Sequence, residues 1–444
     1  MADPAYRRQA IQRESALVYN LNLFRTNYRT VVQQMPKINA GRLLLELRRF
    51  AQFGAYRTGV HRPTYSKEDV DSRRWLAELY EAVGLKAHID GVGNVFGIPR
   101  SERRSLLIGS HAESENHAGW LDGALGVMYG LEIARAFAEM PDCADLPIAP
   151  VAWADEEGHY VSLLGSRSFI GDIDEAEIGR AVNVHHGLPL REALRAAGLA
   201  GVPRSLVEPE RYVGYLEAHI EQGDALEASG NRIGVVTSIV GLWQYSIVFR
   251  GIQNHAGTTR MAIRKDAGVA AVTLATAIAE RFPKVAGPRS VWTTGRISLE
   301  PGAPSIIPGK AEMLFQFRDS EMPVLEHLDA ALRELVEETA IRTGCRAEIE
   351  RTEAGKPWHM DPAFQVAIEN AAARHAPGAY VRMPSGASHD AQVVARKLRA
   401  AMLFVPSIGG ISHHWTENTD DADLVLGCQV LADAAETILR GESR

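Results

Sequence analysis

Cysteine is scarce in this chain. Cys143, Cys345 and Cys428 are far apart and form no CxxC pair, which excludes a disulfide framework and a thiolate metal site and fits a reducing compartment. Long apolar runs are also missing: no stretch of about 18 uncharged apolar residues occurs, so no membrane span or membrane partner is expected. The N-terminus, MADPAYRRQAIQRESALVYNLNLF, is charged throughout and lacks the apolar core and cleavage site of a secretory signal, which leaves the cytoplasm as the expected location. Basic excess is absent too, since the formal charge is −7, and this argues against nucleic acid as a partner. No internal repeat or low-complexity tract is present. What remains is ordinary globular composition, 46% hydrophobic and 23% charged, over 444 residues, a length that leads us to expect two or more domains and a small-molecule function.

After a polar, Arg-rich arm, residues 1–36, expected to pack on another surface, apolar runs alternate with helical spacing, the pattern of an α/β fold. Residues 105–108 (SLLI) read as a buried strand stopped by Gly109 and Ser110, with His111 just past its end. Residues 146–153 (LPIAPVAW) stop ahead of Glu156 and Glu157, and residues 401–405 (AMLFV) stop ahead of His413. In open α/β sheets the ligand crevice lies beyond the carboxyl ends of the strands, so these distant residues can converge. Asp122 opens the segment DGALGVMYGLEIARAFAEM as an N-cap-type residue, where its carboxylate can face a cation. The middle of the chain differs: residues 233–354 alternate strand-like runs (YSIVFRG, SVWTTGRISL, AEMLFQFR, RAEIER) with helical stretches near 266–281 and 324–343. The expected architecture is a mixed-sheet domain, residues 37–232 and 355–444, interrupted by a smaller α+β domain.

A divalent transition metal at neutral pH takes imidazole and carboxylate ligands, and a pair of ions needs about five or six side chains with one carboxylate shared. Three histidines, one Asp and one Glu meet that need, with Asp122 as the bridge and a water shared between the ions as the nucleophile. Glu156 and Glu157 are adjacent and must point apart, so one can ligate while the other shuttles protons. An isolated DEEG is more often a solvated acidic turn; its place after a buried strand argues otherwise. The chain has 15 histidines, and His117, His159, His185, His186, His375 and His414 stay unassigned as structural or surface residues.

The segments IGSHAESENHAGWLDGALGV, WADEEGHYVSLLGSRSF, EAHIEQGDALE, IGVVTSIVG, NHAGTTRM, RMPSGASHDAQ and VPSIGGISHHWTEN occur in this order. In them the chain resembles the hydantoinase/carbamoylase-type amidases of the M20 metallopeptidase superfamily, which include N-carbamoyl-L-amino-acid hydrolases, allantoate amidohydrolases and β-ureidopropionases. The resemblance spans nearly everything after the arm. It implies that His111, Asp122 and His219 hold one divalent ion, that Asp122, Glu157 and His413 hold the other, and that Glu156 is the general acid/base. The ions would be Zn, or Mn, Co or Ni. His255 would stabilise the oxyanion, in related enzymes from the neighbouring subunit of a homodimer formed by the inserted, lid-like domain. Gln222 and Arg318 match substrate contacts, the latter suited to a bidentate carboxylate; its alternative is a surface ion pair with Asp319 or Glu321. His389 is a further candidate, or else a structural hydrogen-bonding residue.

The chain departs from the family pattern at several places. Glu113 stands where an Asp usually orients the first histidine, His159-Tyr160 replace Arg-Phe, and Arg260 replaces Pro. Ser305 replaces an Asn, and Gln244 an Arg, at substrate-facing positions. The implied activity is hydrolysis of a linear C–N bond in an N-carbamoyl amino acid or related amide. The alternatives are an N-acyl-amino-acid amidase or dipeptidase, which Ser305 and Gln244 keep open, and a non-catalytic binding protein.

Overall fold

Four parallel strands form the centre of the larger sheet, in the spatial order Ala400–Val405, Tyr212–Ile220, Ser105–His111, Ile148–Trp153. They are apolar runs buried along nearly their whole length, as strands covered on both faces must be. Further strands, all but Tyr380–Ser385 joined by antiparallel pairing, extend the sheet on both sides to nine, which makes it mixed. This arrangement comes from a computed structural model that describes residues 36–442; the arm read from the sequence lies outside the described residues but for Pro36. The helices Ala124–Glu139, Pro362–His375 and Asp421–Gly441 pack against the sheet. Gly109 does not stop its strand: a Cβ there would lie 1.8 Å from the Val151 carbonyl oxygen, so the residue is small because the neighbouring strand passes close. The strand therefore continues through Gly109 and Ser110, and His111 is its last residue.

A second hydrophobic core belongs to a four-stranded antiparallel sheet in the order Val291–Glu300, Lys310–Asp319, Gly241–Arg250, Arg346–Ala354. The helices Ala267–Val285 and Met322–Thr343 cover one of its faces, close to their expected positions. Strand Gly241–Arg250 alternates buried and partly exposed residues, with Trp243, Tyr245, Ile247 and Phe249 against the helices. Strand Ile233–Ile239 does not belong here, although the sequence reading placed residue 233 in the smaller unit. It pairs with Ala400–Val405 and Tyr380–Ser385 in the large sheet, and its near-continuous burial fits a strand covered on both faces. A third, small cluster of Val92, Tyr160, Leu164, Ile178 and Leu190 anchors the loops after Trp153. Among the described residues no helix is long and apolar enough to cross a membrane.

Candidate metal centre

His111, Glu156, Glu157, His219 and His413 all lie at or just beyond the carboxyl ends of the parallel strands. Asp122 reaches them from the turn before Ala124–Glu139, but not as the expected N-cap. Gly123 is the N-cap, at φ +65, and a Cβ on it would lie 2.4 Å from the His111 ring. The Asp122 side chain is thereby left to the imidazoles. Three non-glycine residues around this point sit in the left-handed region: Asp155 (φ +57), Gln222 (+61) and His413 (+53). Such strain persists where surroundings overdetermine it. Asp155 accepts hydrogen bonds from Thr64 Oγ1 (2.8 Å) and from the amides of Tyr160 (3.0 Å) and Val161 (2.8 Å), and the Gln222 amide donates to Ser407 Oγ at 3.0 Å.

Asp122 is the hub. Its Oδ1 lies 3.4 Å from His111 Nε2 and 3.0 Å from His219 Nε2, while Oδ2 lies 3.2 Å from His413 Nε2. His413 Nε2 is also 3.8 Å from Glu157, and His111 Nε2 is 3.9 Å from Glu156. The Nδ1 of His111 faces the Glu113 carbonyl oxygen (3.1 Å) and that of His219 faces the Ile220 carbonyl oxygen (2.9 Å). A carbonyl only accepts, so both Nδ1 atoms carry protons, and each Nε2 meets the Asp122 carboxylate favourably only with a proton or a metal ion between them. Two electron-rich groups held this close call for a cation between them, and the buried Glu157 Oε1 has no hydrogen-bond partner. His111, Asp122 and His219 offer donors within 4.8 Å of one another, as do His111, Glu156 and Glu157. The donor set therefore fits divalent metal.

Charge tells the same story. Burial pushes the Glu156 carboxyl well up and, together with the Asp122 charge, takes Glu157 up to about 8. Burial also opposes ionisation of Asp122, but hydrogen bonds from three histidines hold it well below the usual carboxylate range. The hydrogen bond to Asp122 raises His413 to about 9 despite burial. A divalent cation supplies what these groups otherwise obtain by binding protons.

Behind the hub stand residues that sequence reasoning missed. Arg73, buried in the helix Lys67–Ala82, donates to Asp69 (3.0 Å), to Glu113 (2.7 Å) and to the carbonyls of Gly93 and Trp153. The second Glu113 carboxylate oxygen accepts from the Glu156 amide at 2.6 Å. Glu417 accepts from the amides of Leu121 and Asp122 and from Ser412 Oγ. Glu115 offers a donor within 4.8 Å of Glu157 and His413. Only Glu417 and Glu115 lay inside segments already singled out, and a buried arginine on a helix leaves no local signature.

A cleft of about 870 Å³ opens over this centre, within the range of small-molecule sites. Gln222, Arg318 and His389 line it, as does Arg289, which the sequence did not suggest. Gln222 Nε2 donates to Asp122 at 3.0 Å. Arg318 projects from the uncovered face of its sheet and donates to the Gly386 carbonyl at 3.0 Å rather than pairing with Asp319 or Glu321. His389 is buried, 2.9 Å from Ser385 Oγ, and packs its ring against His219. Three expected residues do not line the cleft. Gln244 shares the face of Arg318 but is set one register row further from it, and donates to Glu353. His255 and Ser305 lie beyond the opposite end of the same sheet, where Asn254–His255 pairs with Ile306–Ile307. The ten-residue strand Gly241–Arg250 separates that end from the Arg318 end by on the order of 30 Å.

Residues 84–437 match the model of peptidase family M20/M25/M40. The chain belongs to that family. It is 32% identical to an allantoate amidohydrolase of Bacillus subtilis over 86% of this chain and 94% of that protein. An N-carbamoyl-L-amino-acid amidohydrolase of Paenarthrobacter aurescens is also 32% identical, over 89% of this chain and 97% of its own length. Among solved structures, an amidase of the hydantoinase/carbamoylase family from Burkholderia phymatum superposes with a TM-score of 0.86 at 47% identity, covering 93% of this chain and all of that one. This M20 chain thus shares its mixed α/β fold with the amidases it resembles in sequence.

Proposed function

We propose that the chain is a metal-dependent amidohydrolase that cleaves a linear C–N bond in an N-carbamoyl amino acid or a related amide. The observation that carries this is the Asp122 carboxylate held among three imidazoles at the floor of a cleft that also presents Gln222 and Arg318. His111, Asp122 and His219 would hold one divalent ion and Asp122, Glu157 and His413 a second, of Zn, Mn, Co or Ni. Such ions supply Lewis acidity toward a carbonyl oxygen and acidify water. Glu156 takes the proton of the attacking water and returns it to the leaving nitrogen, a task suited to a buried carboxyl whose surroundings favour its protonated form. Arg318 binds the substrate carboxylate through its planar guanidinium, and Gln222 orients the carbonyl end. Asp155 and the Glu113–Arg73 pair fix the turn that aims Glu156.

His255 is too far along the smaller sheet to serve its own cleft. We assign it to the cleft of the partner subunit in a homodimer, where it stabilises the developing oxyanion. Ser305 accompanies it, since its carbonyl accepts the Ala256 amide at 2.9 Å. The three cysteines are free and buried, which supports a reducing, cytoplasmic setting.

The test is ammonia release from a panel of N-carbamoyl, N-formyl and N-acyl amino acids and allantoate after reconstitution with metal. Ammonia from the ureido substrates is the expected result; hydrolysis confined to N-acyl substrates would replace this reading with an acylase. Glu156→Gln should keep its metal content and lose turnover by about 10²- to 10⁴-fold. Full activity in that variant would remove Glu156 from its role.

A further inference from the structure

A second group of metal-type donors lies at the rim of the cleft, and the mechanism does not use it. His159 follows the Glu156–Glu157 turn and is 2% exposed. Its Nδ1 is 3.0 Å from Thr64 Oγ1, which itself donates to Asp155 at 2.8 Å. The hydroxyl proton is thus committed to Asp155, so Nδ1 carries the imidazole proton and Nε2 is left with a lone pair. That buried Nε2 has no hydrogen-bond partner, a costly state for a nitrogen shut off from water. One donor atom each from Glu115, His159 and His185 lies within 4.8 Å of the other two, and the rings of His159 and His185 are 5.7 Å apart. The loop that presents His185 is held to His159 itself: the Val184 amide donates to the His159 carbonyl at 2.9 Å, and the His185 amide donates to Asn183 Oδ1 at 2.9 Å.

We propose that Glu115, His159 and His185 form a separate site for a single divalent transition-metal ion of zinc's class. Two imidazoles and a carboxylate are the donor set such a borderline cation takes, with a coordination position left open. The Thr64–Asp155 pair behind Nδ1 is the outer hydrogen-bonding partner that fixes a ligating histidine in the correct tautomer. None of the three residues belongs to the ligands assigned around Asp122. Glu115 links the two sites, because it lines the cleft and offers a donor within 4.8 Å of Glu157 and His413 as well. An ion at the rim therefore competes for a carboxylate that faces the centre.

Equilibrium dialysis of the full chain against Zn(II) or Co(II), followed by elemental analysis, tests the site. Wild type should bind one ion more than His185→Ala, whose side chain is exposed and whose loss leaves the fold intact. Asp122→Asn, which cripples the main centre, should retain one ion, and the double variant Asp122→Asn/His185→Ala should lose it. His159→Gln should weaken the same ion at least about tenfold. If His185→Ala binds as many ions as wild type with unchanged affinity, the proposal is overturned. That result would leave the main centre untouched, since its own test is the loss of ions in Asp122→Asn relative to wild type.

Discussion

At the scale of single residues, one methylene group redistributes the work around His111. An Asp at position 113 would offer its carboxylate to the imidazole, whereas Glu113 reaches past it, one oxygen to Arg73 and the other to the Glu156 amide, and leaves His111 to the backbone carbonyl. Arg73 and His111 hold the Glu113 carboxyl below its ordinary range although burial works against them. Arg73→Met would strand Asp69 and Glu113 as unpaired charges in the interior, and we expect a loss of about 3–5 kcal/mol in urea unfolding, with poorer metal retention. His111, Glu156, Glu157 and His413 were legible because such residues just past apolar runs are chemically distinctive, whereas His219 entered only through the family resemblance. Arg73 was not legible, since nothing in a helical stretch says which arginine turns inward. The protonation of the metal-free centre gives a second prediction. His413 keeps its proton up to about pH 9 through Asp122, and a ligand must shed it. Glu157, raised to about 8, must shed its proton too, so metal uptake at pH 7 should release protons, and apparent affinity should rise by up to ~100-fold per pH unit below about pH 8 and ~tenfold per unit from there toward 9. Calorimetry in buffers of different ionisation enthalpy measures this, and a pH-independent affinity would contradict it.

At the scale of elements, the strands carrying the site are legible as continuous apolar runs, and their small errors are instructive. Gly109 and Ser110 looked like a stop, but tertiary crowding explains the glycine: the strand Ile148–Trp153 passes so close that no side chain fits. Gly109→Ala must push the two strands apart two residues before His111. We expect about 1–3 kcal/mol of destabilisation in thermal unfolding, together with a lowered metal content. Stability loss with full metal occupancy would show that the strand end relaxes independently. The strand Ile233–Ile239 carried its own signal, since its opening apolar run IGVV contrasts with the alternation that begins at Gly241. Asp122 was read as a cap because short carboxylates usually cap helices. Here Gly123 takes that position and leaves the carboxylate to the imidazoles.

At the scale of the whole molecule, sequence order hides how far apart two site residues are. Arg318 lies in the small four-stranded sheet, whereas His255 lies in a separate two-stranded ladder that extends outward from the end opposite Arg318. No local pattern reveals that direction. The same unit exposes Val269 and Val272 on one helix, and Val291, Ile297 and Leu299 on an edge strand, an apolar border that a second copy would cover. The proposed homodimer would close such a border against its own copy as a self-complementary two-fold interface. Sedimentation should then report a dimer, and mixed subunits should report whose cleft His255 serves. Glu156→Gln and His255→Ala are each expected to be nearly inactive alone. Refolded together in equal amounts, half the dimers would be mixed, and one of the two clefts in each would combine an intact Glu156 with the partner's intact His255. Activity should return to about a quarter of wild type, as random pairing dictates. If His255 acted within its own chain, every mixed cleft would lack one of the two groups and no activity would return.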